Sequence, residues 1–304
     1  MITEHALPKS LCRRGQPLRV LIVGAGGNGS AVLLGLPYLH QAMNVWGHAG
    51  GIHVMLADDD LVSRTNCVRQ PFAAADVGLN KAVVLINRVN LFWGLRWQAH
   101  PEHFHKDSLR NNSAGPHLVI GCVDTRAARQ ANLSAVTRAN DSTVYWLDLG
   151  NNASSGQYVL GQPLNAANHR SGVRLRTVAE LYPEIADTEA GEDPLPSCSA
   201  AEALERQEPF INQVLATSAL AMLARLFRYG TLTHHGAFYN ASTGRTSVLG
   251  VDPDLWKKIQ KCTHRTSLAM LVSACWITEQ WIEREGQRIL DNMVWHEPLD
   301  SWSL

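Results

Sequence analysis

The chain has 304 residues, with 27 Lys+Arg against 27 Asp+Glu and so a formal net charge of zero. That balance withholds the electrostatic drive for non-specific nucleic-acid binding and the basic belt of a membrane-surface protein. Apolar residues at 45% and charged residues at 18% describe a globular protein with a sizeable core, not a disordered chain.

The first informative segment, Leu18 to Gly24, is a short β-branched run between polar residues and a glycine cluster, and predicts a strand buried on both faces. A helix is expected from Ser30 to Leu36, then an inserted loop over Pro37 to Gly51. A second strand is expected from Ile52 to Ala57, ending in Asp58-Asp59-Asp60. Asn80 to Trp93 has helical periodicity, His117 to Val123 reads as a strand, Thr125 to Ala139 as a helix and Thr143 to Leu149 as a strand. Strands alternating with helices, with glycine at the first strand–helix turn, predict a Rossmann-like α/β fold with a doubly wound, mostly parallel sheet.

From Gln162 to Ser199 the chain is rich in Asn, Pro, Glu, Asp and Gly, and is read as a long exposed loop. Gln207 to Tyr229 carries the apolar stripe of a strong helix. Gly236 to Asn240 and Thr246 to Val251 form a hairpin around Ser242-Thr243-Gly244, and a helical segment follows from Asp254. The division expected is one unit over 1–304: an alternating strand–helix half at 18–161, a crossover loop at 162–206 and a largely helical part at 207–304. Six scattered cysteines contain no C-x-x-C pair, which argues against structural zinc and for a reducing compartment. With no signal-peptide pattern at the start and no run near the ~18 apolar residues of a membrane span, the cytoplasm is the expected location.

Gly24-x-Gly26-Gly27-Asn28-Gly29 sits between a strand and a helix, the setting in which such a motif binds a nucleotide phosphate. By itself it does not choose between a dinucleotide and ATP. Asp58, a ribose-binding candidate in either case, lies farther from Gly29 than the usual ~20 residues. The continuation favours ATP: Asp60, then Asn66-x-x-Arg69-Gln70, then Gly78-x-x-Lys81 place two cations where a polyphosphate undergoing transfer needs them. A hydride-transfer enzyme leaves these residues unexplained.

This ordered set, completed by Cys122-Val-Asp124-Thr with Arg129 five residues beyond Asp124, resembles the ThiF and MoeB-like adenylyltransferases and the adenylation domains of ubiquitin-activating enzymes. A Gly156-Gln157 pair falls where that family has one. The resemblance spans about Leu18 to Gln162 and resumes more weakly at the helix from Gln207. It implies that Asp58 binds ribose, that the Gly26–Asn28 backbone approaches the phosphates, and that Asn66, Arg69 and Lys81 line the triphosphate. It also implies that Asp124 holds Mg²⁺. Asp60 is placed near the α-phosphate or the incoming carboxylate, with no fixed role, and Asp59 is read as a solvated charge. Arg13 or Arg14 could serve a partner subunit in the homodimer common in the family, against the plainer reading of a polar boundary.

Leu195-Pro-Ser-Cys198-Ser ends the long loop in a setting similar to the nucleophilic cysteine of ubiquitin-activating enzymes. The resemblance therefore implies activation of the C-terminal glycine of a ubiquitin-like protein, a thioester on Cys198 and transfer to a conjugating-enzyme-like partner. The alternatives are a sulfur-carrier activator with no obligatory thioester, an adenylating enzyme for another carboxylate, an NAD-dependent oxidoreductase and an inactive nucleotide-binding scaffold. Cys67 and Cys122 are read as packing residues, His100-x-x-His103-x-His105 as loop histidines and the C-terminal tryptophans as core of a helical cap.

Overall fold

The computed structural model describes residues 3–11, 15–48, 50–109, 115–138, 142–169, 173–188 and 208–263. In chain order these form β1 (His5–Ala6), β2 (Leu18–Val23), α1 (Gly27–Val45), β3 (Ile52–Ala57), α2 (Asn66–Arg69), α3 (Lys81–Trp93) and β4 (Gln98–His100). There follow β5 (Leu118–Gly121), α4 (Arg126–Arg138), β6 (Tyr145–Asn151), β7 (Ser155–Gly161), α5 (Val178–Leu181), α6 (Ile211–Tyr229), β8 (Thr231–Leu232), β9 (His234–Asn240), β10 (Arg245–Gly250) and α7 (Pro253–Thr263).

An eight-stranded sheet in the order β10-β9-β7-β6-β5-β2-β3-β4 organises them, while β1 and β8 pair separately. From β4 to β6 every pairing is parallel; β7, β9 and β10 extend the sheet antiparallel. The apolar runs of β2, β5 and β6 are buried almost throughout, as strands covered on both faces must be. The register pairs Val23 with both Ala57 and Gly121, so β2, β3 and β5 end level. The chain leaves β2 for β3 on one side and returns to β5 on the other. This reversal opens a crevice at the carboxyl ends of the strands, where ligands bind in such sheets. Among the described residues no helix is long and apolar enough to cross a membrane.

Two expected loops are corrected. α1 does not stop at Leu36 but continues through Pro37 to Val45, so the expected inserted loop shrinks to the few residues before β3. A proline inside a helix costs about 3 kcal/mol, but Leu39 and Met43 beyond it are buried, each worth roughly 1.5–3 kcal/mol. Packing of the second half of the helix therefore outweighs the break. The stretch after Gln162 is likewise not an exposed loop throughout: Leu164 and Val173 face solvent, but much of the rest is packed. Leu175, Val178, Leu181, Tyr182 and Ile185 are buried. The Thr177 hydroxyl accepts from the Glu180 N–H while the Glu180 carboxylate accepts from the Thr177 N–H, a capping box that starts α5. Buried Gln162 donates to Asn168, whose own amide donates to the carbonyls of Val144 and Pro163. The polar composition does not mark an exposed loop, because these amides satisfy backbone inside the protein instead of meeting water. Cys198, Arg13, Arg14 and the tryptophans beyond Trp256 lie outside the described residues; Trp256 itself is buried.

Candidate active site

The glycine turn sits at the head of the crevice. Gly24 has φ +95°, and a Cβ there would meet the Cys122 carbonyl oxygen at 2.7 Å. A Cβ on Gly29 would collide with the Gly24 carbonyl, so the first turn of α1 folds directly onto the end of β2. Gly26, the residue preceding α1, supplies no side-chain cap and has no heavy atom within 4 Å of its missing Cβ. An uncapped helix start facing open space is where backbone N–H groups and the helix dipole accept an anionic group, so the residues fit a nucleotide phosphate.

Asp58, at the end of β3, closes the turn from the side. Its Oδ2 accepts from the Ala25 N–H at 2.5 Å and its Oδ1 from the Asp60 N–H at 2.9 Å. Burial pushes the Asp58 carboxyl above the usual range, against the opposing pull of the Ala25 N–H and the Lys81 ammonium. Asn80 caps α3 by accepting from the Val83 N–H, and its amide donates to the carbonyls of Asp58 and Asp60. This places Lys81 in the first turn of α3, 7% exposed, with Nζ 2.7 Å from Asp60 Oδ2. Asp60, left without a role by the sequence, is thus the anchor of Lys81.

Arg69 ends the short α2, half-buried; burial lowers its pKa while the Asp124 carboxylate opposes that shift. Arg69 also lines a groove of about 440 Å³ between α1 and the start of α6, together with Ser30, Leu34, Gln70 and Phe210. Asn66 accepts from the Ser63 N–H through its side chain and from the Gln70 N–H through its carbonyl, which shapes the loop that presents Arg69. Asp124 is exposed in the turn after β5, open to a cation bridging phosphate oxygens. Lys81 is thus ion-paired with Asp60 beside the Asp58 carboxylate, and Arg69 lies within electrostatic reach of Asp124.

The three histidines depart from the loop reading at one position: His100 ends β4, while His103 and His105 are exposed beyond it. Among the described residues, the one group of three carboxylate, thiolate or imidazole ligand atoms is Asp58, Asp59 and Asp60, within 4.8 Å of one another. Each is already engaged: Asp58 by the turn, Asp60 by Lys81, and Asp59 by His103 at 3.3 Å. His100 faces Glu102 at 3.7 Å, and the three histidines form no such group. Burial, followed by the Asp148 carboxylate, drives the Cys122 thiol far up, so it stays a packing residue.

Beneath the turn the Arg129 of the motif meets Asp148, a residue the sequence did not single out. Asp148 faces Gly121 in register and is fully buried, with Oδ2 3.6 Å from Arg129 Nε. That distance is an ion-pair contact beyond hydrogen-bond reach. Burial therefore outweighs the guanidinium and raises the Asp148 pKa to about 6. Because the folded value exceeds the unfolded 3.8, the group's contribution to stability is complete below pH 3.8 and is lost as pH rises through about 6. Melting temperatures from pH 3.5 to 7 should show this decline, up to about 3 kcal/mol, in the native chain and not in Asp148→Asn. Parallel pH profiles for the two proteins would refute the assignment.

A mostly parallel sheet with an uncapped glycine turn, a carboxylate bonded into that turn and Lys81 ion-paired with Asp60 is the arrangement of a doubly wound α/β protein. The chain belongs to the ThiF family, whose sequence profile matches residues 5–262. Members of that family are ATP-dependent adenylyltransferases. Among solved structures it is similar to PaaA, with 16% identity and a TM-score of 0.51 over 77% of this chain and 64% of that one. It is also similar to Escherichia coli MccB, with 17% identity and a TM-score of 0.51 over 78% of this chain and 63% of MccB. The chain thus spans less than two thirds of either protein, and these likenesses concern the fold. No curated protein sequence matches it significantly. The family expected from the motifs and the doubly wound sheet are both borne out.

Proposed function

We propose that the chain is a single adenylation domain that activates the C-terminal glycine of a ubiquitin-like protein with ATP. The observation that carries this reading is the pair of cations, buried Lys81 and half-buried Arg69, each matched to acidic residues around the uncapped turn. A carboxylate oxygen of the substrate attacks the α-phosphorus; the bond to pyrophosphate breaks, giving an acyl-adenylate. Asp58 orients the ribose, the turn holds the phosphates, and Lys81 and Arg69 offset the charge that builds on the departing pyrophosphate. Asp124 is the residue to hold Mg²⁺, which when bound neutralises phosphate charge.

In the second step the Cys198 thiolate attacks the acyl carbon and AMP leaves, producing a thioester that passes to a conjugating-enzyme-like partner. Support for this step is the Leu195-Pro-Ser-Cys198 setting alone. A cytoplasmic homodimer is the accompanying proposal, resting on the family resemblance and on six scattered cysteines that suit a reducing compartment. The test combines ATP–pyrophosphate exchange with a non-reducing gel, using ubiquitin-like proteins that end in glycine. Exchange and a thiol-sensitive band lost in Cys198→Ala are expected. Exchange that persists in Cys198→Ala with no band in either protein assigns the chain to sulfur-carrier activation. Absence of exchange together with tight NAD binding overturns the adenylation reading.

A further inference from the structure

The glycine turn is held from behind by three asparagine side chains drawn from distant parts of the chain. Asn28, within the turn, donates through Nδ2 to Asn151 Oδ1 at 2.9 Å. Asn212, in the first turn of α6, donates to Asn28 Oδ1 at 2.9 Å and to Asn151 Oδ1 at 3.1 Å. Asn151, at the end of β6, donates onward to the Asn152 carbonyl at 2.9 Å. Asn28 and Asn212 are 7% and 3% exposed, and the bond between them is made away from water.

Two further observations give the triangle a direction. A Cβ on Gly27 would lie 2.5 Å from Asn212 Oδ1, so the Asn212 carboxamide rests against the backbone of the turn. α1 and α6 also run parallel: Gly35 packs on Leu220, Trp46 meets Arg228, and His48 bonds the Phe227 carbonyl. Their N-termini therefore start side by side at the crevice. The residues leading into α6 are tied to the same place, because the Glu208 N–H donates to the Ala153 carbonyl at 2.7 Å.

We infer that Asn151 and Asn212 are positioning residues of the nucleotide turn, coupling its occupancy to the segment that enters α6. The inference rests on the nucleotide site proposed above. Holding the turn through Asn28 fixes the backbone N–H groups that receive phosphate. Ordering of the turn by a ligand is passed through the same bonds to Asn212 and the start of α6. A polar residue at an otherwise apolar position of the α6 stripe is the sequence sign of this role, and it sits just after the expected crossover loop.

Hydrogen-exchange mass spectrometry on the full chain, with and without Mg²⁺-ATP, tests the coupling. ATP should slow amide exchange at 27–30 and at 211–214. In Asn212→Leu, which keeps the volume but removes both donated bonds, protection at 27–30 should remain and protection at 211–214 should be lost. The rate constant for exchange of pyrophosphate into ATP at saturating ATP should also fall about tenfold or more, through misplacement of the phosphates. Asn151→Ser removes the shared acceptor from a half-buried position and should give the same loss should Asn212→Leu not fold. Protection at 27–30 without protection at 211–214 in the native chain overturns the inference alone, as does either folded variant that keeps both. No protection at 27–30 in the native chain overturns the nucleotide site itself.

Discussion

Replacing Lys81 with alanine should reduce ATP–pyrophosphate exchange by about 10²–10³-fold while leaving the melting temperature near that of the native chain. The two effects separate because the partners of Lys81 differ in their surroundings. The ammonium is almost wholly shielded, so its field at the phosphates is little screened by water. Asp60 has a side chain 68% exposed and returns to solvent when Lys81 is removed, so the freed carboxylate costs little. Alanine is also well accepted at the start of α3, which keeps its Asn80 cap. Exchange kinetics and thermal melts on the two proteins check this. Unchanged exchange with a large fall in melting temperature would make Lys81 a structural ion and remove it from the site.

A second substitution should act in the opposite way, through the backbone. In Gly29→Ala the new methyl group collides with the Gly24 carbonyl and lies 3.3 Å from Cys122 Cβ. Neither the carbonyl nor the strand end can give way, because Gly24 is fixed at φ +95° against the Cys122 carbonyl. The turn must open, with an expected loss of about 3 kcal/mol or more and of nucleotide binding with it. Gly26→Ala is the informative companion. Its φ of −72° suits any residue and nothing lies within 4 Å, so stability should shift by less than about 1 kcal/mol. The methyl group then occupies the space a phosphate would use, and binding should be lost from a folded protein. Calorimetric titration with ATP alongside denaturant unfolding distinguishes the two variants. Normal ATP affinity in Gly26→Ala would place the ligand elsewhere.

These contrasts show what the sequence could and could not disclose. β2, β3 and the hairpin of β9 and β10 were legible because continuous apolar runs and a Thr-Gly turn are local signals. The candidate site residues could be named for the same reason: Gly24 to Gly29, Asp58, Arg69, Lys81 and Asp124 stand in short ordered motifs. What escaped depends on partners far along the chain. Pro37 reads as a helix end until Leu39 and Met43 are seen to be buried. Gln162 and Asn168 read as loop until their carboxamides are seen to serve buried backbone. Asp60 acquired a role only when α3 delivered Lys81 beside it, and Asn212 only when α6 lay along α1. Asp148 gave no sign at all, since one acidic residue in an apolar strand becomes informative only once its burial is known.

The level ends of β2 and β5 carry a kinetic consequence. Arg19 and His117, which bond across that pairing, stand 98 positions apart, whereas β6–β7 and β9–β10 are hairpins closed by short turns. Closing a long loop costs entropy before its contacts reward it, so local hairpins form early and the β2–β5 seam late. The Gly24 turn leans on that seam through Cys122 and so takes shape after most of the chain has collapsed. A nucleotide lodged there grips a feature that the folding transition state has yet to build. It should lengthen the lifetime of the native protein by slowing unfolding, and leave the rate of refolding almost untouched.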